Sequence, residues 1–505
     1  MSELSMQISK KPAVFLDRDG TLIEDIGVLS SPDQIMLFQD TVDTLRKLQE
    51  HYLLFVITNQ GAAASGLISP EQISEVNEAL GRELVAEGIT IEEWYVCPHD
   101  RADNCDCIKP NSFFVLEAEK NYDLDLQRSF VIGDHPHDVL TGEAEGVFGL
   151  YLLTGHGLRH IDEVPLDKPV FHTLAAAAEW IFQHPDPHKT LQKAIADGAH
   201  ALQKGKLVAF PTETVYGLGA DALNETASAE LFIAKKRPLF DPLIVHVHSA
   251  EQVKQLTTEI PESAVKLMDA FWPGPLTLVL PKSAVVPDIV TAGGSTVAVR
   301  MPQHPLALEL LRQAGTPVAA PSANIFGKTS PTTARHVAEQ LEGKYEVLID
   351  GGACRVGVES TVLTLVGEKP VILRPGGITK EEIEQVIGPV SNRSELPEEH
   401  MASPGLLPSH YAPATPMVLT DTPIKFCNDE HVAIILRKPT ESAYRGSVFV
   451  LSPDGDLRSA AAMLYQTLRL VDGMHFDLIV AERFPGKGIG VAANDRMTRA
   501  AAKKS

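Results

Sequence analysis

Short apolar runs alternate with longer amphipathic stretches along the first 180 residues of the chain. The stretches Thr41–Glu50 and Pro70–Glu87 have helical periodicity. The apolar runs that predict strands are Ala13–Leu16, Leu53–Ile57, Phe130–Ile132 and Gly149–Leu153. Because strands and helices alternate, we expect an α/β fold with a parallel sheet and crossover helices.

The pattern changes twice further along the chain. Two prolines in the segment 184–189 separate helical patterns and indicate a linker. A second α/β region then runs to about Asn392, with a helix followed by the strand Leu207–Phe210. A polar, acidic stretch (393–401) precedes Ser403–Pro413, whose prolines and glycine predict an extended, irregular segment.

The last 90 or so residues predict a small α/β unit. Its expected strands lie near Val432–Leu436, Ser447–Leu451 and Phe476–Val480. Together the breaks predict a domain at 1–186, a domain at 187–392, a linker at 393–415 and a small domain at 416–505.

Composition narrows the class of protein. The net charge of −22 and an aromatic content of 6% argue against direct nucleic-acid binding, which needs basic surface and stacking platforms. Five cysteines in 505 residues do not indicate a disulfide framework. The first residues lack a signal-peptide pattern and no apolar run has membrane-spanning length, so we expect a cytoplasmic protein that does not enter membranes.

Polar side chains follow the predicted strands of the first domain at the points where those strands end. Asp17 and Asp19 follow the first strand, where Gly20 allows the backbone to turn, and Thr58 ends the second. Lys109 precedes a proline, and the carboxylates Asp134 and Asp138 follow a later strand. Ligands of open α/β sheets bind beyond these strand ends, and Mg²⁺ prefers carboxylate oxygens. A phosphate-hydrolysing site is therefore expected here.

These motifs, in this order, resemble the haloacid dehalogenase superfamily of aspartate-nucleophile phosphatases, which have a Rossmann-like fold. The resemblance implies that Asp17 is the nucleophile and Asp19 the general acid/base. It implies that Thr58 and Lys109 stabilise the phosphoryl group. Asp17, the Asp19 carbonyl and Asp134 would bind Mg²⁺, with Asp138 in support.

Three thiols and one imidazole precede Lys109: Cys97, His99, Cys105 and Cys107. Such a set suits tetrahedral structural Zn²⁺, although the one-residue spacers alone leave a chance loop open. The loop looks like the zinc loop of heptose bisphosphate and histidinol phosphatases, which favours zinc. Ile108 departs from the basic residue usual in that subfamily, as does the run after Pro110, so the phosphomonoester substrate stays open.

The second region carries a different series of motifs. The segment 207–221 runs from a strand through a Pro-Thr turn into glycines, and Lys235 and Arg237 follow. Two residues apart on a strand, these two cations would share a face and could clamp a triphosphate. Ser322 and Asn324 offer short polar groups after a later strand. Since no Walker-type loop is present, a nucleotide would be held by dispersed side chains.

In order, the motifs from 190 to 505 resemble the two-domain threonylcarbamoyl-AMP synthases, with an open, twisted YrdC-like α/β domain and a small α/β domain. Those enzymes join ATP, L-threonine and bicarbonate into threonylcarbamoyl-AMP and pyrophosphate for tRNA modification. The resemblance implies an ATP tetrad of Lys235, Arg237, Ser322 and Asn324. Residues implied to hold threonine are Thr214, His246, Arg300 and Ser360, with Arg300 pairing the carboxylate. Residues implied to line the nucleotide site are Asp241, Thr296, Ala320, Ser330, Arg374 and Tyr411.

We therefore expect a bifunctional enzyme that passes its product to tRNA threonylcarbamoyl transferase proteins. One alternative is a synthase whose phosphatase domain is a general or regulatory appendage, and another is an RNA-binding scaffold. Asp241 stands where the family usually has Asn, and a carboxylate near phosphates should weaken ATP binding unless it is protonated, metal-bound or turned away.

Overall fold

The computed structural model describes residues 10–393, 411–426 and 428–502, which form two compact units divided between Leu191 and Gln192. Most of the predicted linker, including the polar stretch and the extended segment before Tyr411, lies outside the described residues. None of the helices in the described ranges is long and apolar enough to cross a bilayer.

The first unit is built on a fully parallel sheet with the strand order β3-β2-β1-β4-β5-β6. Its strands are β1 (Ala13–Leu16), β2 (Leu53–Asn59), β3 (Glu93–Cys97), β4 (Phe130–Gly133), β5 (Phe148–Leu152) and β6 (Val170–Phe171). Its helices are α1 (Thr41–Leu48), α2 (Pro70–Ala86), α3 (Phe113–Tyr122), α4 (Pro136–Leu140), α5 (Gly157–His160) and α6 (Leu174–Gln183), and α7 (Pro187–Gln203) continues into the second unit. The predicted parallel α/β fold is confirmed.

Strand β1 is apolar at every position because both faces of the sheet are covered there. Val14 and Leu16 pack into the core on one face of the sheet, and Ala13 and Phe15 pack into the core on the other. Because both faces are covered, every position of the strand is buried. The first polar residues come where the strand ends, and this places Asp17 at the edge of the sheet.

The second unit contains a mixed sheet with the order β13-β7-β8-β12-β9-β11-β10-β14-β15-β16. Its strands are β7 (Val208–Phe210), β8 (Gly217–Asp221), β9 (Ile244–His246), β10 (Leu276–Pro281), β11 (Thr296–Arg300), β12 (Val318–Ala319), β13 (Val347–Leu348), β14 (Thr361–Thr364), β15 (Val371–Arg374) and β16 (Ser391–Asn392). Its helices are α8 (Glu225–Lys235), α9 (Ala250–Leu256), α10 (Glu262–Phe271), α11 (Asp288–Thr291), α12 (Pro305–Ala314), α13 (Ala334–Leu341) and α14 (Lys380–Ile387).

A smaller parallel sheet with the order β17-β20-β18-β19 completes the second unit. Its elements are β17 (Met417–Thr420), β18 (Val432–Leu436), β19 (Ser447–Val450), α15 (Leu457–Gly473), β20 (Leu478–Glu482) and α16 (Gly490–Ala501). Ala433 and Ile435 face the core shared with α15 and α16, whereas Val432 and Ile434 face the other side. The small α/β domain expected from the sequence is present, with β17 as an additional strand.

Candidate active sites

Three carboxylates meet at the carboxyl edge of the first sheet. Asp17 follows β1, and Asp134 and Asp138 follow β4, so neighbouring strands deliver all three. Each is buried, and their oxygens lie within 4.8 Å of one another. Gly20, at φ +77°, makes this approach possible, because a Cβ there would stand 2.1 Å from Asp134 Oδ2. The structure thus brings together carboxylates that are up to 121 positions apart in the chain.

The ammonium group of Lys109 lies between two of these carboxylates. Its Nζ donates to Asp17 Oδ1 at 2.5 Å and to the Ile57 carbonyl at 2.9 Å, and it lies 2.6 Å from Asp138 Oδ1. Burial lowers the pKa of Lys109, but the two carboxylates outweigh that effect and hold it above its ordinary value. Lys109 therefore stays charged in the cluster.

One cation does not balance three carboxylates. Burial, with the charges of Asp138 and Asp19 in addition, raises the pKa of Asp17 to about 7 against the opposing effect of Lys109. Burial and the neighbouring carboxylates also raise the pKa of Asp134 to about 9. Buried carboxylates are stable as anions only when paired or bound to a metal. The donor set, its crowding and its excess negative charge fit a divalent cation with oxygen ligands.

Asp19 lies beside the cluster, but its side chain does not join it. Its two oxygens accept hydrogen bonds from the buried guanidinium of Arg18, with Nη2–Oδ2 at 2.8 Å, and Gln60 Nε2 donates to Oδ2 at 2.8 Å. Arg18 is itself held by Asn77, with Nη1–Oδ1 at 2.7 Å. These hydrogen bonds fix the orientation of the Asp19 carboxylate. Asp19 and Asp17 both line one cavity of about 380 Å³.

Thr58, at the end of β2, completes this edge. Its hydroxyl accepts a hydrogen bond from Gln60 Nε2 at 2.8 Å, and the residue lines the same cavity. Gln60 was expected from the sequence as a strand-end amide that could hold phosphate oxygens, whereas Arg18 and Asn77 were not identified from the sequence. The position of Arg18 between two aspartates, directly after an apolar strand, was the available signal, since a guanidinium at a strand end near the core needs acceptors.

The three thiols and the imidazole of the 97–107 loop also come together. Cys107 Sγ lies 3.3 Å from Cys97 Sγ and 3.6 Å from Cys105 Sγ, and His99 Nδ1 lies 3.3 Å from Cys107 Sγ. Ligands at about 2.3 Å around a tetrahedral zinc are separated by about 3.8 Å. The donor set and its spacing fit a tetrahedral Zn²⁺ site.

The second unit contains a cavity at the ends of several strands. The residues that line it are Thr212, Thr214, Val215, Gly217, Arg237, Ile244, His246, Arg300, Ala320, Pro321, Ser322, Glu359, Ser360, Arg374 and Tyr411. Three guanidinium groups and one carboxylate are therefore among its walls. This charge pattern suits a ligand that carries several negative charges.

Most of the side chains selected from the sequence line this cavity, but five do not: Lys235, Asp241, Thr296, Asn324 and Ser330. Thr296 begins β11 and Arg300 ends it, so the two lie about 13 Å apart along the strand. Ser330 lies behind the wall, where its hydroxyl donates to Glu359 Oε1 at 2.7 Å. Asn324 accepts from the Ser322 hydroxyl at 2.5 Å and so orients a residue that does line the cavity.

The placement of Lys235 and Arg237 on a strand was wrong. Lys235 is the last residue of helix α8, and Lys236 follows in the left-handed region at φ +52°. The helix forms because Asn224 caps it and because Leu231 and Lys235 continue one buried face. Lys235 and Arg237 therefore do not share a face in the way that residues two apart on a strand do.

Lys235 is not among the residues that line the cavity, and its ammonium group is buried against the loop that contains Ser322 and Asn324. It donates to the carbonyl of Asn324 at 2.5 Å and to the carbonyl of Ser322. Burial, with the charge of Arg237 in addition, lowers its pKa well below the ordinary value. Lys235 thus holds the loop that presents Ser322, whereas the Arg237 side chain itself reaches the cavity wall.

Asp241 is paired with Arg237. Its Oδ2 lies 2.9 Å from Arg237 Nη2, and both groups are buried. Asp241 is not among the residues that line the cavity, and its carboxylate is directed at the Arg237 guanidinium, which matches the turned-away alternative left open by the sequence.

Arg300 and His246 lie side by side on the wall, at the paired ends of β11 and β9. Arg300 Nη2 donates to Glu213 Oε1 at 2.6 Å, and Glu213 Oε2 accepts from the Gln303 amide at 3.0 Å. Burial, with the charge of Arg300 in addition, lowers the pKa of His246 to about 3, so its ring is neutral. Glu213 was not identified from the sequence; it lies between two buried threonines, where a carboxylate needs a cationic partner.

Comparison with known proteins follows this division of the chain. The family model described as telomere recombination matches residues 200–376, and the model described as threonylcarbamoyl-AMP synthase, C-terminal domain, matches residues 378–502. A hydrolase-like model of the haloacid dehalogenase type matches residues 106–177.

Individual relatives agree with these matches. A threonylcarbamoyl-AMP synthase of Bacillus subtilis is 44% identical over 340 residues, covering 64% of this chain and 97% of the relative. The solved structure of Pyrococcus abyssi Sua5 complexed with L-threonine is 45% identical with a TM-score of 0.57, covering 61% of this chain and 94% of that chain. A D,D-heptose 1,7-bisphosphate phosphatase from B. bronchiseptica, solved with magnesium and phosphate, is 26% identical with a TM-score of 0.33, covering 34% of this chain and 99% of that chain.

The relative from B. subtilis is matched over nearly its whole length, and the two family models together cover both parts of the second unit. The hydrolase-like match lies wholly in the first unit. The chain therefore belongs to the threonylcarbamoyl-AMP synthase family and carries a haloacid dehalogenase-like domain before its synthase region.

Proposed function

We propose that residues 187–505 form a nucleotidyltransferase that converts ATP, L-threonine and bicarbonate into threonylcarbamoyl-AMP and pyrophosphate. The observation that carries the proposal is the cavity in which Arg237, Arg300 and Arg374 converge. A triphosphate and an amino-acid carboxylate are the anionic groups that such a cavity would bind. Ser322 and Ser360 provide short hydroxyls between these cations.

In this proposal Arg300 pairs with the threonine carboxylate. Glu213 is absent from the lining and holds the guanidinium from behind, so the orientation is set before threonine arrives. The neutral ring of His246 lies beside Arg300 and adds no second positive charge. Arg237 and Arg374 face the nucleotide and stabilise the charge that develops as pyrophosphate leaves.

The test is a reaction of the full chain with ATP, bicarbonate and threonine. We expect pyrophosphate release that requires threonine, with an equal amount of threonylcarbamoyl-AMP identified by mass spectrometry. Pyrophosphate release that is independent of threonine would contradict the assignment.

We also propose that residues 1–186 hydrolyse a phosphomonoester, because nucleophile, acid/base and cation side chains share one cavity there. The Asp17 carboxylate attacks phosphorus and forms an aspartyl phosphate, and the bond from phosphorus to the alcohol oxygen breaks as protonated Asp19 gives that oxygen its proton. Water then attacks the aspartyl phosphate and gives a proton to Asp19, and inorganic phosphate leaves as the Asp17 carboxylate is restored. Lys109 and Thr58 hold the phosphoryl oxygens. A bound Mg²⁺, held by Asp17, Asp134 and the Asp19 carbonyl with Asp138 in support, would neutralise charge on the phosphate.

A panel of phosphate esters given to the full chain tests this second activity and identifies the substrate type. Rapid acid quenching should trap phosphate on the peptide that contains Asp17. Turnover with no label on that peptide, or with label on another residue, would contradict the role of Asp17. Sugar phosphates and histidinol phosphate belong in the panel because the zinc-loop resemblance points to them.

The product of the synthase belongs to tRNA modification, and we propose that it passes to threonylcarbamoyl transferase proteins. We also propose that the synthase region consists of a domain at 187–392, a linker at 393–415 and a small domain at 416–505.

A further inference from the structure

A buried ionic cluster joins the small carboxy-terminal domain to the wall of the synthase cavity. Glu359 lines the cavity, and its Oε2 accepts from Arg496 Nε at 2.6 Å and from the Tyr465 hydroxyl at 3.0 Å. Arg496 lies on α16 and Tyr465 on α15, so both donors come from the small domain. The side chain of Arg496 is fully buried.

The same guanidinium holds a second part of the wall. Arg496 Nη2 donates at 2.9 Å to the carbonyl of Pro375, the residue directly after Arg374. Arg374 in turn donates from Nη2 to the Ser360 carbonyl at 2.9 Å. One side chain of the small domain therefore fixes the two segments that present Ser360 and Arg374 to the cavity.

The two segments pack backbone against backbone. A Cβ at Gly376 would stand 2.3 Å from the carbonyl carbon of Ser360, and the Gly377 amide donates to the Glu359 carbonyl at 3.1 Å. With so little space between them, a shift at 359 moves the segment 374–377 as well. The position of Glu359 thus determines two of the groups that face the ligands.

Stability alone does not account for this cluster. Burial raises the pKa of Glu359, but Arg496 and Arg374 outweigh it and lower the pKa to about 2, so the carboxylate is ionised at neutral pH. A buried ion pair is often no more stabilising than apolar residues of the same volume. Its directional hydrogen bonds, however, fix geometry in a way that apolar contacts do not.

We propose that Arg496 is a positioning residue of the synthase site, through which the small domain sets the orientation of Ser360 and Arg374. The inference rests on the proposed synthase function. Arg496 does not line the cavity, so it acts on the ligands through the groups that it contacts. These include the Glu359 carboxylate, the Pro375 carbonyl and the ring of Tyr411, whose centroid lies 5.4 Å from the guanidinium carbon.

The experiment compares Arg496→Met with wild type in the full chain, measuring ATP and threonine binding by calorimetry and turnover by pyrophosphate release. We expect both affinities to fall at least tenfold and kcat/KM to fall at least as far. Arg437→Ala is the matched control, because Arg437 also pairs with a carboxylate in the small domain, Glu482 at 2.8 Å, and lies away from the cavity. The control should retain both affinities.

A second variant separates positioning from folding. In Arg496→Met the buried Glu359 carboxylate loses its direct ion-pair partner, and Asp495 loses one of its two arginines but keeps Arg499, so the melting temperature should fall. Glu359→Gln/Arg496→Met removes both charges and should recover most of that loss, while ligand affinity and turnover stay low because the directional contacts are still missing.

Recovery of affinity together with the melting temperature would overturn the proposal, as would an Arg496→Met protein with wild-type affinities. A wild-type chain that binds both ligands without forming product would instead contradict the proposed function, and the binding comparison would still decide the role of Arg496. A wild-type chain that binds neither ligand would contradict both.

Discussion

Arg300 Nη2 donates a hydrogen bond of 2.6 Å to Glu213 Oε1, and both side chains are at least 95% buried. Of the two, only Arg300 lines the cavity. The carboxylate therefore holds the guanidinium in the orientation that a substrate carboxylate meets.

Glu213→Gln should raise the threonine KM roughly five- to tenfold. The amide still occupies the space, but a charge-assisted hydrogen bond is replaced by a neutral one, worth about 1 kcal/mol less. The ATP KM should change by less than twofold, and Arg300→Ala should affect threonine far more strongly than Glu213→Gln does. Steady-state kinetics with each substrate varied in turn provides the check, and equal effects on both substrates would contradict the role of the pair.

Asp241→Asn should lower the melting temperature of the ligand-free protein and lower the ATP KM. The substitution removes the carboxylate that lies 2.9 Å from the buried guanidinium of Arg237, and this destabilises the ligand-free protein. The unpaired guanidinium then interacts more strongly with the phosphates of ATP. Saturating ATP should therefore raise the melting temperature more in the variant than in wild type. Thermal unfolding with and without ATP measures this. Weaker ATP binding in the variant would mean that Asp241 orients Arg237 productively.

Protein purified without chelators should contain about one zinc per chain. The three thiols and the imidazole within 4.8 Å of one another form a complete tetrahedral set. Cys105→Ser/Cys107→Ser should lose the metal, and Cys354→Ala, which removes a buried thiol outside this loop, should retain it. Elemental analysis of the three proteins is sufficient, and zinc that survives in the double variant lies at another site.

His246 should remain neutral throughout the range from pH 5 to 8. Its pKa is about 3 in the folded chain, because of burial and the charge of Arg300, and about 6.5 when unfolded. A lowered folded-state pKa stabilises the fold fully above pH 6.5, and this contribution is lost as the pH falls towards 3. By pH 5 the loss is about 2 kcal/mol.

Hydrogen–deuterium exchange at the imidazole carbon, followed by tandem mass spectrometry that separates His246 from the nearby His248, gives the midpoint for His246. The same peptide in urea-unfolded protein is the control and should titrate near 6.5. A folded-state midpoint of 6 or above would contradict the neutral ring.

Site residues were predicted best from the sequence where a polar side chain comes directly after a buried strand. The apolar run Ala13–Leu16 predicts both a buried strand and the place where Asp17 emerges, because a parallel strand with two covered faces leaves polar groups only at its ends. Three such strand ends lie at one edge of the sheet for topological reasons alone.

Two kinds of feature could not be predicted from the sequence. The run before Lys235 is apolar enough for a strand or a buried helix, and only the fold selects the helix that ends there. The partners Glu359 and Arg496 are 137 positions apart, and no local pattern indicates which buried carboxylate meets which guanidinium.

We propose that this one chain carries two chemically independent active sites, and reciprocal inactivation tests that independence. Phosphate-ester hydrolysis and threonine-dependent pyrophosphate release are assayed in full-length wild type, Asp17→Asn and Arg300→Ala. We predict that Asp17→Asn abolishes hydrolysis and retains wild-type synthase rates, while Arg300→Ala does the reverse. Loss of both activities in either variant that remains folded, or hydrolysis that persists in Asp17→Asn, would contradict two independent active sites.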